Sequence, residues 1–190
     1  MNKLRMNNVN HLLILLLLML LFILTLVSQG HARHYFGNEK VANITFYNQE
    51  KVAGDNPPIV LVAKPEGTTV NASSLIPFGA VYVFDTPFTE RQDPNSNVLG
   101  QAQGLAVSAG KNDSVVVFSL VFGFTDGPFK GSSFSVLSRD PIMEAERELA
   151  IVGGTGKFRL ARGFAYLRTV ANITGVGFIV RYDVTILYYG

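Results

Sequence analysis

A glycine-rich segment near the C-terminus is the part of the sequence that first suggests chemistry. The stretch RELAIVGGTGKFRLARG, residues 147–163, holds four glycines between an apolar run and a basic run. A loop that binds phosphate must lead from a strand into a helix whose N-terminus receives the charge. This segment leads into another strand-like pattern and has neither the Walker spacing nor GxGxxG. We therefore interpret its glycines as a structural corner that needs positive φ and a tight bend.

Residues suited to metal or nucleophilic catalysis are scarce. The chain has no cysteine, which excludes disulfides and thiolate metal sites, and it has only three histidines. Two of these lie near the N-terminus, in the segment discussed next, so neither a histidine cluster nor a Ser-His-Asp set is available. We expect no metal, no cofactor and no conventional hydrolase activity.

The first 33 residues have the pattern of a secretory signal peptide. Lys3 and Arg5 precede an apolar run from Leu12 to Val27, and small residues that suit signal peptidase follow. The run is also close to the length of a membrane-spanning helix, so a permanent anchor is the alternative. We predict cleavage and secretion, which leaves residues 34–190 as a single domain that is not membrane-bound.

Removal of this leader changes the charge of the protein. The whole chain has 16 basic and 14 acidic residues, but residues 1–33 hold three of the basic residues and none of the acidic ones. The remaining 13 basic residues are scattered along the chain rather than clustered. A nucleic-acid partner would require a clustered basic face, so we expect none.

Four tripeptides match the acceptor pattern for N-glycosylation. The pattern is weak alone but gains meaning behind a signal peptide, because secreted chains meet the glycosylation machinery. Chance occurrence is the alternative for one or two of them. The acceptor residues are Asn43, Asn71, Asn112 and Asn172.

The remaining chain is predicted to be almost entirely β. Nine segments rich in Val, Ile, Phe and Tyr alternate with turn sequences such as GDNPP and RQDPNSN, and only PIMEAEREL could form a short helical turn. Connections this short favour antiparallel neighbours, so a closed barrel or a sandwich is expected. The segments are residues 43–49, 58–63, 79–88, 98–109, 113–124, 131–138, 148–153, 161–170 and 175–189.

The apolar pattern of one segment also indicates self-association. Residues 113–124 are apolar on both faces, whereas residues 176–188 alternate between an apolar and a mixed face. A strand that is apolar on both faces needs cover on both sides. Because no helices are predicted to supply that cover, we expect another subunit to do so.

Several sequence blocks together resemble the plant dirigent proteins. They are FGAVYVFDTPFTE, VLGQAQGLAVSA, FKGSSFSVLSRDP, RELAIVGGTGKFRLARGFAYLRT and VRYDVTILYYG. They occur in the family's order from about Ile44 to the C-terminus. The resemblance implies an eight-stranded antiparallel β-barrel of calycin type, like that of allene oxide cyclase, with an apolar central cavity and usually three subunits.

The resemblance also implies a function in phenolic metabolism. Dirigent proteins are secreted to the plant apoplast, where they bind phenoxy radicals of monolignols and direct their coupling to one stereoisomer. A separate laccase or peroxidase performs the oxidation, and no cofactor is needed. Such a role suits a barrel with room for one small ligand, because radical coupling is controlled by positioning rather than by lowering a barrier.

The resemblance places two charged residues at positions that are reactive in the family. Asp140 in SRDP and Arg147 in RELAIVGG correspond to the residues that assist proton transfer at a quinone methide and orient a phenolic oxygen. An Asp-Pro turn and a surface arginine paired with Glu144 or Glu148 are the alternative.

Three other positions depart from the family pattern. Many relatives have His-Asp after the Phe46-Tyr47 pair, whereas Gln49 stands in the pocket position here, with Glu50 expected on the opposite face of the strand. Positions that are aromatic in lignan-forming members are Ala106 and Ser108. Because Gln49 cannot act as a base, these changes disfavour a pinoresinol-type reaction.

Alternatives remain for one residue and for the function. Asp85 in YVFDTPF is either a pocket acid or a turn cap. Whether the chain has turnover of its own is open, because some dirigent relatives close a ring through a quinone methide. An organiser of lignin deposition in the cell wall and a lipocalin-like carrier are further possibilities.

Overall fold

The computed structural model describes residues 11, 13–25, 37–69, 76–173 and 176–190. The chain divides into two compact units, of which the first comprises Met1–Asn38 with Gly190 and the second Glu39–Tyr189. In the first unit, residues 13–25 are helical. Among the described residues, no helix meets the length and apolarity that crossing a membrane would require. The predicted cleavage region near residue 33 and the acceptor Asn71 lie outside the described residues.

The second unit is built from nine strands in one antiparallel sheet. Each strand coincides with one of the segments predicted from the sequence, with shifts of a few residues at the ends. The strands are β1 (Glu39–Lys51), β2 (Ile59–Ala63), β3 (Val81–Thr89), β4 (Val98–Ser108), β5 (Val115–Phe124), β6 (Ser133–Pro141), β7 (Arg147–Thr155), β8 (Arg162–Ile173) and β9 (Gly177–Tyr189).

The sheet closes on itself between β1 and β3. Its order is β1-β9-β8-β7-β6-β5-β4-β3-β2, and β1 also pairs with β3. The closing ladder is short, with Tyr47 opposite Thr89 and Asn48 opposite Phe88. Strand β2 pairs with the first half of β3, beside this seam. The predicted eight-stranded antiparallel barrel is therefore confirmed, with β2 as an additional ninth strand.

The glycine-rich segment forms the corner between β7 and β8. It contains the short 3₁₀ turn Gly156–Phe158, and Gly156 has φ of 62°. A Cβ atom on Gly154 would lie 2.4 Å from the Ser133 carbonyl oxygen, which only glycine avoids. The structural interpretation of these two glycines is therefore confirmed. PIMEAEREL forms no helix, because its first residue ends β6 and its Arg147 begins β7.

Phenylalanines fill one end of the barrel interior. The rings of Phe122 and Phe134 stack with centroids 4.8 Å apart, and Phe46 stacks on Tyr182 at 5.0 Å. Aromatic pairs of this kind stabilise a core beyond the area they bury. We call this set the aromatic cluster: Phe46, Phe88, Phe122, Phe124, Phe134 and Phe158, all buried.

Candidate functional site

Asp140 and Arg147 face each other inside the other end of the barrel. Asp140 lies near the end of β6 and Arg147 begins β7, so the connection 142–146 brings the two strands back side by side. The Arg147 Nη1 atom donates to Asp140 Oδ2 at 3.0 Å, and both side chains are buried. The alternative of an Asp-Pro turn with a surface arginine is therefore wrong, because Pro141 still belongs to the strand.

Each member of this ion pair keeps an unused hydrogen-bonding atom. Arg147 Nη2 donates to Thr169 Oγ1 at 3.1 Å. Within the described residues, neither Asp140 Oδ1 nor Arg147 Nε has a hydrogen-bond partner, although both atoms are buried. Such atoms cost free energy unless something pairs with them, so they mark a place where a polar ligand group would gain most. Burial raises the pKa of Asp140, and the positive charge of Arg147 opposes that rise.

Glu50 is a second carboxylate beside this pair, and sequence reasoning missed it. Its Oε1 atom accepts hydrogen bonds from Asn48 Nδ2 at 3.2 Å and from the Tyr182 hydroxyl at 3.4 Å. Burial raises the pKa of the Glu50 carboxyl from 4.5 to about 7. The Asp140 charge adds to this rise, whereas Arg147 and the two hydrogen bonds oppose it. Near neutral pH, Glu50 therefore exists in both its protonated and its ionised form.

Tyr182 joins the two ends of the interior. Its ring stacks on Phe46 in the aromatic cluster, while its hydroxyl reaches Glu50. Burial raises the pKa of Tyr182 well above its usual value, and the nearby Glu50 and Asp140 reinforce the effect. The phenol thus stays neutral and acts as a hydrogen-bond donor.

These residues form one group, contributed by six strands. We call it the polar cluster: Asn48 and Glu50 from β1, Thr86 from β3, Asp140 from β6, Arg147 from β7, Thr169 from β8 and Tyr182 from β9. Apolar inward residues adjoin it, since Val116 lies opposite Asp140 and Val180 opposite Asn48. The arrangement places proton donors and acceptors beside an apolar wall, which suits a phenolic ring bearing hydroxyl groups.

The orientation predicted for Gln49 and Glu50 is wrong. Gln49 points away from the interior and donates through Nε2 to Thr89 Oγ1 at 3.2 Å and to the Gln92 carbonyl oxygen at 3.4 Å. The register between β1 and β9 is the reason, because it places Phe46 opposite Tyr182 and turns both inward. Alternate residues then follow, so Asn48 and Glu50 line the barrel. The burial of Phe46 rather than Tyr47 is the signal that shows which face of β1 points inward. That burial depends on pairing with β9, which is far away in the sequence.

The other predicted binding residues fall into two groups. Asp85 lies exposed on the outer face of β3, where it accepts a hydrogen bond from Gln103 Nε2 at 3.1 Å. Ala106 and Ser108 are buried on the inward face of β4. Ser108 Oγ donates to the Ile76 carbonyl oxygen at 2.9 Å, which fixes the segment that precedes β3. Only Ala106 and Ser108 of these three share the interior with the polar cluster.

The described glycosylation acceptors are all exposed. Asn112 lies in the turn between β4 and β5, and Asn172 lies near the end of β8. Asn43 lies within β1, where its Oδ1 atom accepts a hydrogen bond from Thr185 at 3.1 Å. Within the described part of the chain, no group of three or more His, Cys, Asp or Glu side chains could hold a metal ion.

Comparisons with known proteins agree with this architecture. The family model described as Dirigent-like protein matches residues 41–187. The chain is 40% identical over 174 residues to Dirigent protein 23 of Arabidopsis thaliana, covering 87% of this chain and 91% of the relative. It is 38% identical over 156 residues to Pterocarpan synthase 1 of Glycyrrhiza echinata, covering 81% of each chain.

Solved structures give the same result. The pterocarpan synthase dirigent protein GePTS1 superimposes with a TM-score of 0.74 at 38% identity, covering 80% of this chain and 87% of that one. The pterocarpan synthase dirigent protein PsPTS1 gives a TM-score of 0.73 at 37% identity, covering 80% of this chain and 97% of that one. Both the sequence blocks and the barrel are therefore those of one family, and the chain belongs to the dirigent proteins.

Proposed function

We propose that this dirigent protein closes a ring in a phenolic substrate through a quinone methide, using Glu50 and Asp140 as its proton-transfer groups. The observation that carries the proposal is Glu50, a carboxyl group with a pKa of about 7 held beside the Asp140–Arg147 pair. A general acid works best when its pKa lies near the working pH. The similarity to the pterocarpan synthases GePTS1 and PsPTS1 supports the same class of reaction.

The reaction needs no oxidant, because it removes only water. Protonated Glu50 gives its proton to a benzylic hydroxyl group of the substrate, the C–O bond breaks and water leaves. Asp140 takes the proton of the phenol conjugated with that carbon, and a quinone methide results. A second phenolic hydroxyl of the same molecule then adds to the methide carbon. Its proton returns to Glu50, while Asp140 returns its proton to the methide oxygen, so both carboxyl groups regain their initial states.

Arg147 and Tyr182 complete this assignment. Arg147 already binds Asp140, and its unpaired Nε is a donor for a phenolic oxygen as negative charge develops there. Tyr182 donates to Glu50 and stabilises the carboxylate that remains after proton transfer. A substrate seated against the apolar residues Val116 and Val180 would limit the access of water, which would otherwise add to the methide carbon.

The test presents the purified protein with a 2′-hydroxyisoflavanol and no oxidase, and follows the product by chiral chromatography. Wild-type protein should produce one enantiomer of the ring-closed product. Glu50→Gln should lower the rate about 10²- to 10⁴-fold, which is the usual contribution of a general acid. Glu148→Gln, the same change at an exposed position, is the control and should leave the rate unchanged. Full turnover by Glu50→Gln would contradict the proposal.

Direction of monolignol radical coupling is the second candidate. The unpaired Asp140 Oδ1 and Arg147 Nε atoms favour it, because fixed hydrogen bonds would orient a phenoxy radical without any proton transfer. A laccase or peroxidase would supply the radicals. Coniferyl alcohol coupled by laccase, with and without the protein, distinguishes the candidates. An enantiomeric excess that Asp140→Ala and Arg147→Ala erode would favour coupling, and a racemic product in every arm would disfavour it.

We also propose that the outer face of β3 to β7 is covered by other copies of the chain, as a homotrimer. Leu105 and Leu137 flank Ser119 across adjacent strands, and Val83 lies opposite Leu105. Val83, Leu105 and Leu137 are 43%, 41% and 57% exposed, so they form a contiguous apolar patch of the kind that marks an interaction surface. Leu137→Glu should reduce the mass in light scattering to that of one subunit. Val60→Glu, a charge on the exposed face of β2, should not.

We also propose that the protein is secreted to the apoplast. There we expect glycans on the exposed acceptors Asn43, Asn112 and Asn172. The leader pattern of residues 1–33 supports secretion. Mass spectrometry of the protein recovered from plant apoplastic fluid tests both points. An N-terminus close to residue 34 and glycan mass on these asparagines are expected, whereas an intact leader would contradict secretion.

A further inference from the structure

Two neutral polar side chains in the polar cluster have no part in the chemistry proposed above. Asn48 and Thr86 are both completely buried, on neighbouring strands beside the short seam that closes the barrel. Thr86 Oγ1 donates to Asn48 Oδ1 at 2.7 Å, and Asn48 Nδ2 donates to Glu50 Oε1 at 3.2 Å. The two contacts form a chain that runs from β3 through β1 to the carboxyl group.

A purely structural role would not require polar groups here. On the inward face of β1, Ala42 and Phe46 are apolar and buried, and Phe88 lies opposite Asn48 across the seam. Buried hydrogen-bonded polar groups add little net stability, and replacing both partners by apolar groups of the same shape is often neutral. An apolar pair would therefore close the seam equally well.

We propose that Asn48, anchored by Thr86, is a positioning residue that keeps the Glu50 carboxyl group hydrogen-bonded in both its ionised and its protonated form. A primary amide carries a donor on one side and an acceptor on the other, and a hydroxyl group is both. When Glu50 is ionised, the amide donates to it and accepts from Thr86, as in the structure. When Glu50 is protonated, the amide turns over, accepts the Glu50 proton in a hydrogen bond, and donates to Thr86.

The inference rests on the proposed function for one point only, which is why Glu50 needs a partner in both protonation states. A proton-transfer group must change its state twice in each turnover. Other groups that act on Glu50 are Asp140 from β6, Arg147 from β7 and Tyr182 from β9. Arg147 stays charged in the neutral range and can only donate, so it cannot accept the proton of protonated Glu50 in a hydrogen bond. The neutral Tyr182 hydroxyl can reverse by rotating, and the amide of Asn48 reverses by turning over while Thr86 keeps it hydrogen-bonded.

The first test uses wild-type protein and no substrate, so it is independent of the proposed reaction. NMR titration should follow the Glu50 carboxyl carbon and the side-chain amide signals of Asn48 together. Both should shift with one common midpoint, because turning of the amide accompanies protonation. Amide signals of Asn48 that do not respond while Glu50 titrates would overturn the inference.

Two substitutions extend the test. Asn48→Leu removes a partner from both forms of Glu50, so the proton affinity of Glu50 should rise by less than the roughly tenfold that loss of a donor to the carboxylate alone would give. Asn97→Leu is the matched control, because it breaks an exposed amide–carboxylate contact with Asp126 near the opposite end and should leave Glu50 unchanged. Thr86→Val should speed exchange of the Asn48 side-chain amide protons about tenfold, and Thr86→Ser should restore the wild-type rate. A rise of about tenfold or more in folded Asn48→Leu, which a donor to the carboxylate alone predicts, or unchanged exchange in Thr86→Val, would contradict the inference.

Discussion

The two ends of the barrel interior are built on opposite principles. The aromatic cluster is satisfied by contact alone, as the stacked pairs Phe122–Phe134 and Phe46–Tyr182 show. The polar cluster holds two carboxyl groups, and it leaves Asp140 Oδ1 and Arg147 Nε buried without a partner in the described residues. Unpaired buried groups cost stability, so the comparison indicates that one end stabilises the fold while the other retains an unfavourable arrangement, as the proposed function would require.

The largest effect on stability is expected from the aromatic end. Phe122 is fully buried and contacts Phe46, Phe88 and Phe134. Phe122→Ala should lower the free energy of unfolding by about 3–5 kcal/mol, because it creates a cavity in a packed core. Denaturant unfolding measures the change. Phe78→Ala, the same substitution at a residue that is 52% exposed, should cost much less. Equal losses would refute a stabilising role for the aromatic cluster.

Breaking the buried ion pair should have the next largest effect. Arg147→Met leaves Asp140 buried without its partner and should cost about 3 kcal/mol at pH 7. The loss should shrink in acid, because the pKa of Asp140 is already raised by burial and would rise further, so that the carboxyl group becomes neutral. Arg139→Met breaks the exposed 3.4 Å pair with Asp113 and should cost at most about 1 kcal/mol. Similar losses in both variants would contradict the account.

Glu50 should make stability depend on pH in a definite direction. Its pKa in the folded protein is about 7, above the 4.5 of an unperturbed carboxyl, so the native state binds more protons between these values. Its stabilising contribution is therefore complete below pH 4.5 and is lost as pH rises through 7. Relative to wild type, Glu50→Gln should gain about 2–3 kcal/mol on going from pH 4 to pH 8.5. Parallel stability curves for the two proteins would show that the pKa of Glu50 is ordinary.

The smallest effect on stability is expected at Ser108, whose hydroxyl group has a structural role at the polar end of the barrel. Its hydroxyl holds the Ile76 carbonyl oxygen. Ser108→Ala should therefore lower the free energy of unfolding by about 1 kcal/mol and leave turnover unchanged. Gln103→Ala, at an exposed outer position, is the control for stability. Loss of turnover without loss of stability would indicate instead that Ser108 binds the substrate.

The strands could be predicted from the sequence because their signals are local. Val, Ile, Phe and Tyr mark each of the nine segments, and Gly, Pro, Asn and Asp mark the turns between them. The faces of β1 could not be predicted with the same certainty. They depend on pairing with β9, which brings Phe46 opposite Tyr182 across most of the chain. A shift of one residue in register exchanges the two faces of a strand. The sequence therefore predicted Gln49 inside the barrel and Glu50 outside, which is the reverse of the structure.

The site was predicted in part for a related reason. Family resemblance pointed to Asp140 and Arg147, and the structure brings them to 3.0 Å. Glu50, Tyr182 and Thr86 lie on strands that are distant in sequence and meet only when the barrel closes. The raised pKa of Glu50 likewise comes from burial, a property of the folded chain that no local pattern records.

The pH dependence of ring closure tests most directly whether the polar end works through a protonated Glu50. With a 2′-hydroxyisoflavanol as substrate, kcat/KM should fall about tenfold per pH unit above pH 7, as the acid form of Glu50 disappears, and should fall again in acid once Asp140 becomes protonated. Glu50→Gln should be slow throughout, without the fall above pH 7. A wild-type profile that stays level from pH 5 to 9, or a Glu50→Gln variant as fast as wild type, would contradict the account.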